Sequence, residues 1–97
     1  MEILSKDSLV YPKNSYFIYI LRCSDNSLYC GFTTNLTRRI NEHNSSVKGA
    51  RYTKGKRPVV LIYSEEFSSR SLALKREYAI KKLSKAEKIM LAQENKI

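Results

Sequence analysis

The sequence holds five side chains whose types suit phosphodiester chemistry: Tyr19, Tyr29, Arg39, His43 and Glu77. Hydrolysis of a phosphodiester requires an activated water, stabilisation of charge at the phosphorus and help for the leaving oxygen. Arginine suits the second task because its planar guanidinium can bind two phosphate oxygens at once. A glutamate carboxylate suits Mg²⁺, which prefers hard oxygen ligands and keeps several waters. A phosphate-cleaving site is therefore one hypothesis for this chain.

The two tyrosines and the histidine are the candidates for activating the water. Tyrosine is an unusual base because its ordinary pKa is about 10, so nearby cations or a metal-bound hydroxide would have to favour its deprotonated form. The strongly basic surroundings are compatible with such an effect on Tyr19 or Tyr29, and the sequence leaves open which of them is the base. His43, the only histidine, could accept a proton or hydrogen-bond a tyrosine hydroxyl. The alternative for each tyrosine is a structural role as a strand aromatic.

A hairpin would carry both tyrosines. Residues 16–22 are aromatic and β-branched, which predicts a strand, and their near-continuous apolarity predicts a central position in a sheet. Turn-forming residues follow, and residues 28–32 form the return strand, in which Gly31 indicates a bulge or a close approach of another backbone. A three-residue turn would place the tyrosines on the same sheet face. A two-residue turn would place them on opposite faces unless a bulge restored the register.

A helix after the hairpin would carry the arginine and the histidine. Candidate N-caps at residues 33–35 predict that it begins there and runs to about residue 44. Arg39 and His43 lie four residues apart and therefore share one stripe of the helix. The pattern places a guanidinium above an imidazole on one helix face.

The second half of the chain predicts one strand and two helices. Residues 59–63 form a fully apolar strand in the middle of the sheet or beside the hairpin, and an acidic connector follows. A helix over about residues 71–83 would be capped by Ser68 or Ser69. A last helix would span about residues 85–94, either after a break or as a continuation of the previous helix.

Glu77 is the informative residue of the first of these two helices. At about 100° per residue it falls between two parts of an apolar arc, while lysines take the opposite face. Because burial of an unpaired carboxylate is costly, this side chain needs a partner. The pattern leaves open a salt bridge to Arg76 or to a loop arginine, a metal ion, and the stripe of Arg39 and His43.

The formal net charge of +9 is large for 97 residues and favours an anionic partner, most often nucleic acid. The loop over residues 45–58 contains five cations, one tyrosine and no acid, which is typical of a phosphate contact. A solvated mobile loop is the alternative. The candidate nucleic-acid contacts are Lys48, Arg51, Tyr52, Lys54, Lys56 and Arg57 in this loop and Arg76 in the later helix.

The cysteine content and the distribution of apolar residues indicate the class of protein. Cys23 and Cys30 are the only cysteines and lack the further ligands of a zinc site, which predicts reduced thiols in a cytoplasmic protein. No apolar run approaches the roughly 20 residues that cross a bilayer, and the first residues lack the layout of a secretory signal. We expect an N-terminal arm over residues 1–15 and one domain over residues 16–97.

Residues 16–43 resemble the core of the GIY-YIG nuclease module. The first signature of that module is degenerate here, as Phe-Ile-Tyr ending at Tyr19, and the second appears as Tyr-Cys-Gly ending at Gly31. The family arginine comes eight residues after the second glycine, a position that Arg39 occupies. The helix glutamate of the family matches Glu77.

The resemblance extends over about residues 16–88 and is closest to small stand-alone bacterial members. These share a KGARYT piece, here residues 48–53, and an SLALKREY piece, which begins here at residue 71. The histidine that follows the arginine in many members matches His43. Phe17 stands where the family signature has its first glycine, which alters strand packing.

The resemblance implies an α+β fold in which helices flank a three-stranded antiparallel sheet. It also implies metal-dependent cleavage of DNA, on structured or damaged substrates in repair, with one Mg²⁺ or Mn²⁺ ion held by Glu77. Arg39 would stabilise the phosphate, and Tyr19 or Tyr29 together with His43 would activate the water. RNA as the substrate and the oligomeric state stay open.

Two other functions compete with the nuclease hypothesis. The chain could be a nucleic-acid-binding module that keeps the scaffold and its charge without cutting, or an interaction protein whose basic face docks an acidic partner. If Glu77→Ala lost cutting but still bound nucleic acid, the nuclease hypothesis would be supported. A steep salt dependence of nucleic-acid binding would argue against the protein-docking alternative.

Overall fold

The computed structural model of the protein describes residues 15–45 and 48–94. Within these ranges the chain forms three strands and four helices. In chain order these elements are β1 (Tyr16–Arg22), β2 (Leu28–Thr33), α1 (Leu36–Ser45), α2 (Arg51–Lys54), β3 (Val60–Phe67), α3 (Arg70–Lys81) and α4 (Lys85–Glu94). None of the helices in the described ranges is long and apolar enough to cross a membrane.

The strands form one antiparallel sheet in the order β2-β1-β3. This order confirms the predicted α+β fold and the central position of β1. The pairing of β1 with β2 is uninterrupted, whereas the pairing of β1 with β3 shifts register between Ile20 and Leu21. β3 lies beside the hairpin, at an edge of the sheet.

β1 is buried on both faces. Ile18 and Ile20 project to the face that α3 covers, where they pack in one cluster with Ile80. Tyr19 projects to the opposite face and packs in a second cluster with Ile40 of α1. A strand that is covered on both sides has no face left for polar side chains, which explains the near-continuous apolarity of β1.

Side-chain caps fix where two of the helices begin. Asn35 Oδ1 accepts the Arg38 N–H at 3.0 Å at the start of α1. Ser69 Oγ accepts the Leu72 N–H at 3.3 Å at the start of α3. Both bonds satisfy backbone donors that have no partner inside the helix, and both caps were among the predicted candidates.

α4 is a separate helix because Ser84 and Glu87 form a capping box. The Glu87 N–H donates to Ser84 Oγ at 3.1 Å, and the Ser84 N–H donates to Glu87 Oε1 at 2.8 Å. The break before α4 is therefore confirmed. α3 ends at Lys81, earlier than predicted.

Two further sequence-based predictions differ in the structure. β3 continues to Phe67, so Glu65 and Glu66 lie within the strand and do not form a connector. An edge strand tolerates such charges because part of it faces water or an ion partner. The predicted loop over residues 45–58 contains the short helix α2. The predicted arm lies outside the described residues except for its last residue.

Candidate active site

Tyr19 lies in β1 with only 1% of its surface exposed. Gly31 stands opposite on β2, and a Cβ atom at that position would lie 2.3 Å from Tyr19 Oη. Because favourable non-bonded contacts between heavy atoms are much longer, only glycine leaves room for the tyrosine ring. Gly31 thus leaves space for the side chain of Tyr19. The predicted bulge or backbone approach at Gly31 is wrong, since the β1–β2 register is uninterrupted.

A chain of buried hydrogen bonds runs from Tyr19 into α2. Tyr19 Oη lies 2.9 Å from His43 Nε2, and His43 Nδ1 lies 3.0 Å from Thr53 Oγ1. The Thr53 hydroxyl in turn donates to the Ala50 carbonyl at 3.0 Å. His43 and Thr53 are both 0% exposed. His43 therefore hydrogen-bonds the Tyr19 hydroxyl with one ring nitrogen and the Thr53 hydroxyl with the other.

Tyr29 lies on the same sheet face as Tyr19. The Cys23 N–H donates to the Ser27 carbonyl at 2.8 Å, so the hairpin closes with the three-residue turn that gives this arrangement. The centroids of the two tyrosine rings are 6.4 Å apart. The Tyr29 ring also lies edge-on to His43 at a centroid distance of 5.1 Å. Both tyrosines and the histidine are therefore neighbours.

Arg39 lies one helical turn before His43 on α1. Its side chain is 24% exposed, and its Nη1 donates to Glu42 Oε1 at 2.7 Å and to the Lys48 carbonyl at 2.9 Å. These two hydrogen bonds hold the guanidinium in place. Its positive charge acts on both Tyr19 and His43, so the cation lies within electrostatic reach of the buried pair.

Burial dominates the protonation of that pair. Desolvation raises the pKa of Tyr19 to about 12, although hydrogen bonding and charge from Arg39 lower it. Desolvation, followed by the charge of Arg39, lowers the pKa of His43 to about 4. Both side chains are therefore neutral at neutral pH. At Tyr19 the basic surroundings do not favour the deprotonated form, because loss of water around the phenol outweighs the nearby cation.

Glu77 lies on α3 with its side chain 16% exposed, and its Oε2 is 3.3 Å from Lys81 Nζ. The glutamate thus pairs with a lysine one turn later. Arg76, which the sequence offered as a partner, instead donates to Glu65 from Nε and Nη2 at 3.0 and 2.9 Å. Burial is the main cause of the raised pKa of Tyr19, and the negative charge of Glu77 adds to it. The carboxylate therefore acts on the tyrosine through space.

The Glu77 carboxylate fits a divalent ion that is held mainly by water and by substrate oxygens. Within residues 15–45 and 48–94, no group of three or more histidine, cysteine, aspartate or glutamate side chains is placed to hold a metal. Mg²⁺ does not require such a group, because it commonly binds one or two carboxylates together with waters and phosphate oxygens. The donor set therefore suits one weakly held Mg²⁺ or Mn²⁺ ion.

The segment over residues 48–56 carries cations beside Tyr52. We call four of them the basic rim: Lys48, Arg51, Lys54 and Lys56. Tyr52 is 43% exposed among them and stacks on Tyr29 with ring centroids 5.8 Å apart. Lys56 Nζ lies 3.6 Å from the centroid of the Tyr52 ring. Tyr52 therefore connects the exposed surface with the half-buried Tyr29, which in turn contacts the buried Tyr19.

Arg57, a predicted nucleic-acid contact, is engaged with the end of α1. Its Nε donates to the His43 carbonyl, and its Nη2 donates to the Glu42 carbonyl at 3.4 Å. Carbonyls in the last turn of a helix lack backbone partners and carry the negative end of the helix dipole. The guanidinium therefore stabilises the helix end that carries the histidine.

Sequence reasoning missed Thr53 and Asn44. Thr53 closes the KGARYT piece that resembles the small bacterial members, and that likeness is the signal that could have marked it. Asn44 Nδ2 donates to the Val59 carbonyl at 3.1 Å, and its Oδ1 accepts the Val59 N–H at 2.7 Å. This amide fastens α1 to the segment before β3, and no local pattern marks it.

Comparison with known proteins places these residues in a family. Residues 15–90 match the family model described as the GIY-YIG catalytic domain. A UPF0213 protein of Desulfotalea psychrophila is 57% identical over 79 residues, which cover 81% of this chain and 72% of that protein. A UPF0213 protein of Staphylococcus haemolyticus is 53% identical over 79 residues, which cover 81% of this chain and 95% of that protein.

Two solved structures have a similar fold. The solution NMR structure of a UPF0213 protein from Bacillus halodurans is 41% identical and has a TM-score of 0.55, covering 84% of this chain and 85% of that chain. The solution NMR structure of a protein from E. faecalis is 42% identical and has a TM-score of 0.57, covering 84% of this chain and 86% of that chain. Both support the arrangement of strands and helices described above.

Proposed function

The chain belongs to the GIY-YIG catalytic-domain family, and we propose that it is a divalent-metal-dependent endonuclease that hydrolyses phosphodiester bonds in DNA. One observation supports this function most directly: the hydrogen bond between Tyr19 and His43 is buried beside the Arg39 guanidinium. A group that can activate water and a group that can bind a phosphate therefore lie in one place.

Arg39 is proposed to bind the phosphate whose bond is cut. Its Nη1 is held by Glu42 and by the Lys48 carbonyl, so the planar group is already oriented before the substrate arrives. A guanidinium that is held in this way can stabilise the charge that develops on the phosphate oxygens, with little cost of reorganisation. The partial burial of Arg39 strengthens this interaction because less water screens it.

Tyr19 and His43 are proposed to move the proton of the attacking water. The water proton passes to Tyr19 Oη as the phenol proton passes to His43 Nε2. The water oxygen bonds to phosphorus while the bond from phosphorus to one ester oxygen breaks, and that oxygen leaves with the cut strand end and takes up a proton. Tyr19 stays neutral in this relay, which suits a phenol whose pKa burial raises to about 12. The 2.9 Å distance between Oη and Nε2 is that of a formed hydrogen bond. Tyr29, in contact with both rings, shapes the site beside them.

Glu77 is proposed to hold one Mg²⁺ or Mn²⁺ ion. When bound, the ion would neutralise charge on the phosphate and on the departing oxygen. The carboxylate is mostly buried and pairs with Lys81 at 3.3 Å. An ion that binds Oε2 therefore competes with the lysine for that oxygen.

The basic rim is proposed to hold the DNA backbone near the site. Lysine and arginine side chains bind phosphates without reading sequence, and Tyr52 adds an aromatic surface beside them. These contacts suit structured or damaged DNA, in which bases or backbone are accessible, and they leave RNA as a testable alternative substrate. We take residues 16–97 as the single catalytic domain.

Cleavage of labelled single-stranded, duplex and branched DNA tests this function. The reactions contain Mg²⁺, Mn²⁺ or EDTA and compare the native protein with Arg39→Ala and Glu77→Gln. Matched controls change exposed residues of the same types, Arg38→Ala next to Arg39 and Glu94→Gln at the end of α4. We expect metal-dependent cutting that both site variants lose and both controls keep. Cutting that persists in Glu77→Gln, or in EDTA, would contradict the metal role.

A non-cutting nucleic-acid-binding module is the second candidate function. The ion pair between Glu77 and Lys81 favours it, because a carboxylate that is already neutralised is a weaker metal ligand. Binding without cutting on every DNA and RNA substrate, with both metals, would support this alternative. Absence of nucleic-acid binding at low salt would instead favour an acidic protein partner.

A further inference from the structure

The hydrogen bonds around Thr53 have a fixed direction. A threonine hydroxyl has one proton to donate and two lone pairs to accept with. Thr53 Oγ1 donates that proton to the Ala50 carbonyl at 3.0 Å, an acceptor that cannot donate in return. The remaining contact of the hydroxyl, with His43 Nδ1 at 3.0 Å, therefore uses a lone pair of the oxygen. His43 Nδ1 must carry the proton of that hydrogen bond.

The proton on Nδ1 determines the protonation state of the other ring nitrogen, Nε2. A neutral imidazole has one N–H, so a proton on Nδ1 leaves a lone pair on Nε2. Tyr19 Oη lies 2.9 Å from Nε2 and must be the donor there. Four groups thus form one directed chain, in which Tyr19 donates to His43, His43 donates to Thr53 and Thr53 donates to Ala50.

We propose that Thr53 is a positioning residue that holds His43 as the Nδ1–H tautomer, with the Nε2 lone pair aimed at the Tyr19 hydroxyl. This inference rests on the proposed nuclease function only for its catalytic consequence. The tautomer itself is a property of the folded protein without substrate. The threonine contacts neither the phosphate nor the attacking water and acts through the histidine alone.

The opposite tautomer would disable the relay. An Nε2–H would donate to Tyr19 Oη and occupy a lone pair of that oxygen. His43 would then have no acceptor for the phenol proton, and Tyr19 could not pass its proton on while it receives one from water. Nδ1 would then gain a donor only if the Thr53 hydroxyl turned away from the Ala50 carbonyl. The hydroxyl of Thr53 disfavours this alternative because, while it donates to the Ala50 carbonyl, it accepts from the ring.

The backbone hydrogen bonds of α2 do not depend on the hydroxyl of Thr53. The Thr53 N–H donates to the Ala50 carbonyl at 3.1 Å, and the Thr53 carbonyl accepts the Lys56 N–H at 3.0 Å. Neither bond involves the hydroxyl. Replacement of the side chain therefore changes the partner of His43 without removing a backbone hydrogen bond of the turn.

The ring nitrogen-15 resonances of His43 test the proposal without any activity measurement. His43 is the only histidine, so its two ring nitrogens can be read in a uniformly labelled sample at neutral pH. We expect a protonated Nδ1 and an unprotonated Nε2 in the native protein. An Nε2–H tautomer in the native protein would overturn the proposal, whether or not any variant folds.

Two variants test the cause of the tautomer. Thr53→Val removes the hydroxyl, and we expect it to lose the pure Nδ1–H signature, whereas Thr53→Ser keeps an acceptor oxygen and should retain it. A Thr53→Val protein that folds and keeps the native tautomer would show that the threonine does not set it. If Thr53→Val does not fold, Thr53→Ala makes the same comparison with less strain.

The catalytic consequence is measured separately on the DNA substrate that the native protein cuts. Loss of a group that orients a metal-ligating side chain commonly costs about 10- to 100-fold. By analogy we expect a fall of this size in kcat for Thr53→Val, with KM little changed. Thr53→Ser should recover most of the rate. A changed tautomer with unchanged kcat would refute the catalytic part, while absence of cutting in the native protein would refute only the proposed function.

Discussion

The ring of Tyr19 occupies the space that a side chain at Gly31 would need. A Cβ atom at Gly31 would lie 2.3 Å from Tyr19 Oη and 2.4 Å from Cζ. The glycine of the second signature therefore makes room for the tyrosine of the first. Strand pairing brings the two together, since Gly31 stands directly opposite Tyr19 in the β1–β2 register.

Gly31→Ala should displace Tyr19 and weaken its bond to His43. Overpacking of this kind typically costs about 1–3 kcal/mol, and we expect the free energy of unfolding in urea to fall by that amount, together with loss of cutting. Gly55→Ala is the matched control, because no atom lies within 4 Å of a Cβ at Gly55. The control should change stability little. Equal effects of the two substitutions would contradict the packing account.

His43 should make the protein less stable as the pH falls from about 6.5 to about 4. Its pKa is lowered to about 4 by burial and by the charge of Arg39, so the unfolded chain binds a proton first. The stability is fully present above the unfolded pKa of about 6.5 and is lost towards the folded value. The loss approaches about 3 kcal/mol.

Urea unfolding across this pH range measures the effect, with His43→Gln as the reference that cannot titrate there. The difference between the native and variant curves isolates the histidine from carboxylates that titrate at lower pH. We expect the native curve to fall more steeply between pH 6.5 and 4. Parallel curves would mean that His43 is not held neutral by burial.

Arg39→Lys should cut far more slowly than the native protein although it keeps the charge. An ammonium cannot bind two phosphate oxygens in one plane, and loss of one oriented donor commonly costs about 100- to 1000-fold in kcat. Arg38→Lys is the matched control, since Arg38 is the neighbouring and more exposed arginine, at 54%. Equal rates for the two variants would show that Arg39 does not bind the phosphate during cutting.

Lys81→Ala should lower the concentration of Mg²⁺ that gives half-maximal cutting. The lysine ammonium lies 3.3 Å from Glu77 Oε2 and competes with a cation for that oxygen. We expect a several-fold decrease in Lys81→Ala and loss of metal response in Glu77→Gln. Lys82→Ala controls for the change in net charge. The same shift in both lysine variants would indicate a general charge effect in place of competition at Glu77.

Arg76 should contribute to stability more than to DNA binding. It donates from Nε and Nη2 to the Glu65 carboxylate, and a half-exposed pair of this kind contributes about 1 kcal/mol or less. Arg51→Ala, in the basic rim, should reduce the slope of log affinity against log salt by about 1. Arg76→Ala should leave that slope nearly unchanged, as measured by fluorescence anisotropy. A larger change for Arg76→Ala would make it a phosphate contact.

Local patterns in the sequence predicted the elements that carry the site. β-branched and aromatic residues over 16–22 gave the central strand, and short polar residues gave the caps at Asn35 and Ser69. These effects act over one turn or one strand pair, so neighbouring residues are enough to specify them. The shared stripe of Arg39 and His43 follows in the same way from the four-residue spacing on one helix.

Local sequence patterns did not predict the polar end of β3 or the short helix α2. Glu65 belongs to the strand because Arg76 of α3 pairs with it, and α2 forms inside a segment whose glycines and cations predict a loop. In both cases contacts from elsewhere in the chain offset a weak local preference. The sequence alone cannot show which distant partner will be present.

The sequence by itself determined the three strands, the three longer helices and the residues that match the family. Only the tertiary structure decided how the site is protonated and oriented. The Tyr19 phenol keeps its proton because burial in the fold raises its pKa, and His43 has its proton direction because Thr53 lies at its second nitrogen. Burial and hydrogen-bond direction depend on atoms that the fold brings together, whereas local propensity depends only on neighbours along the chain.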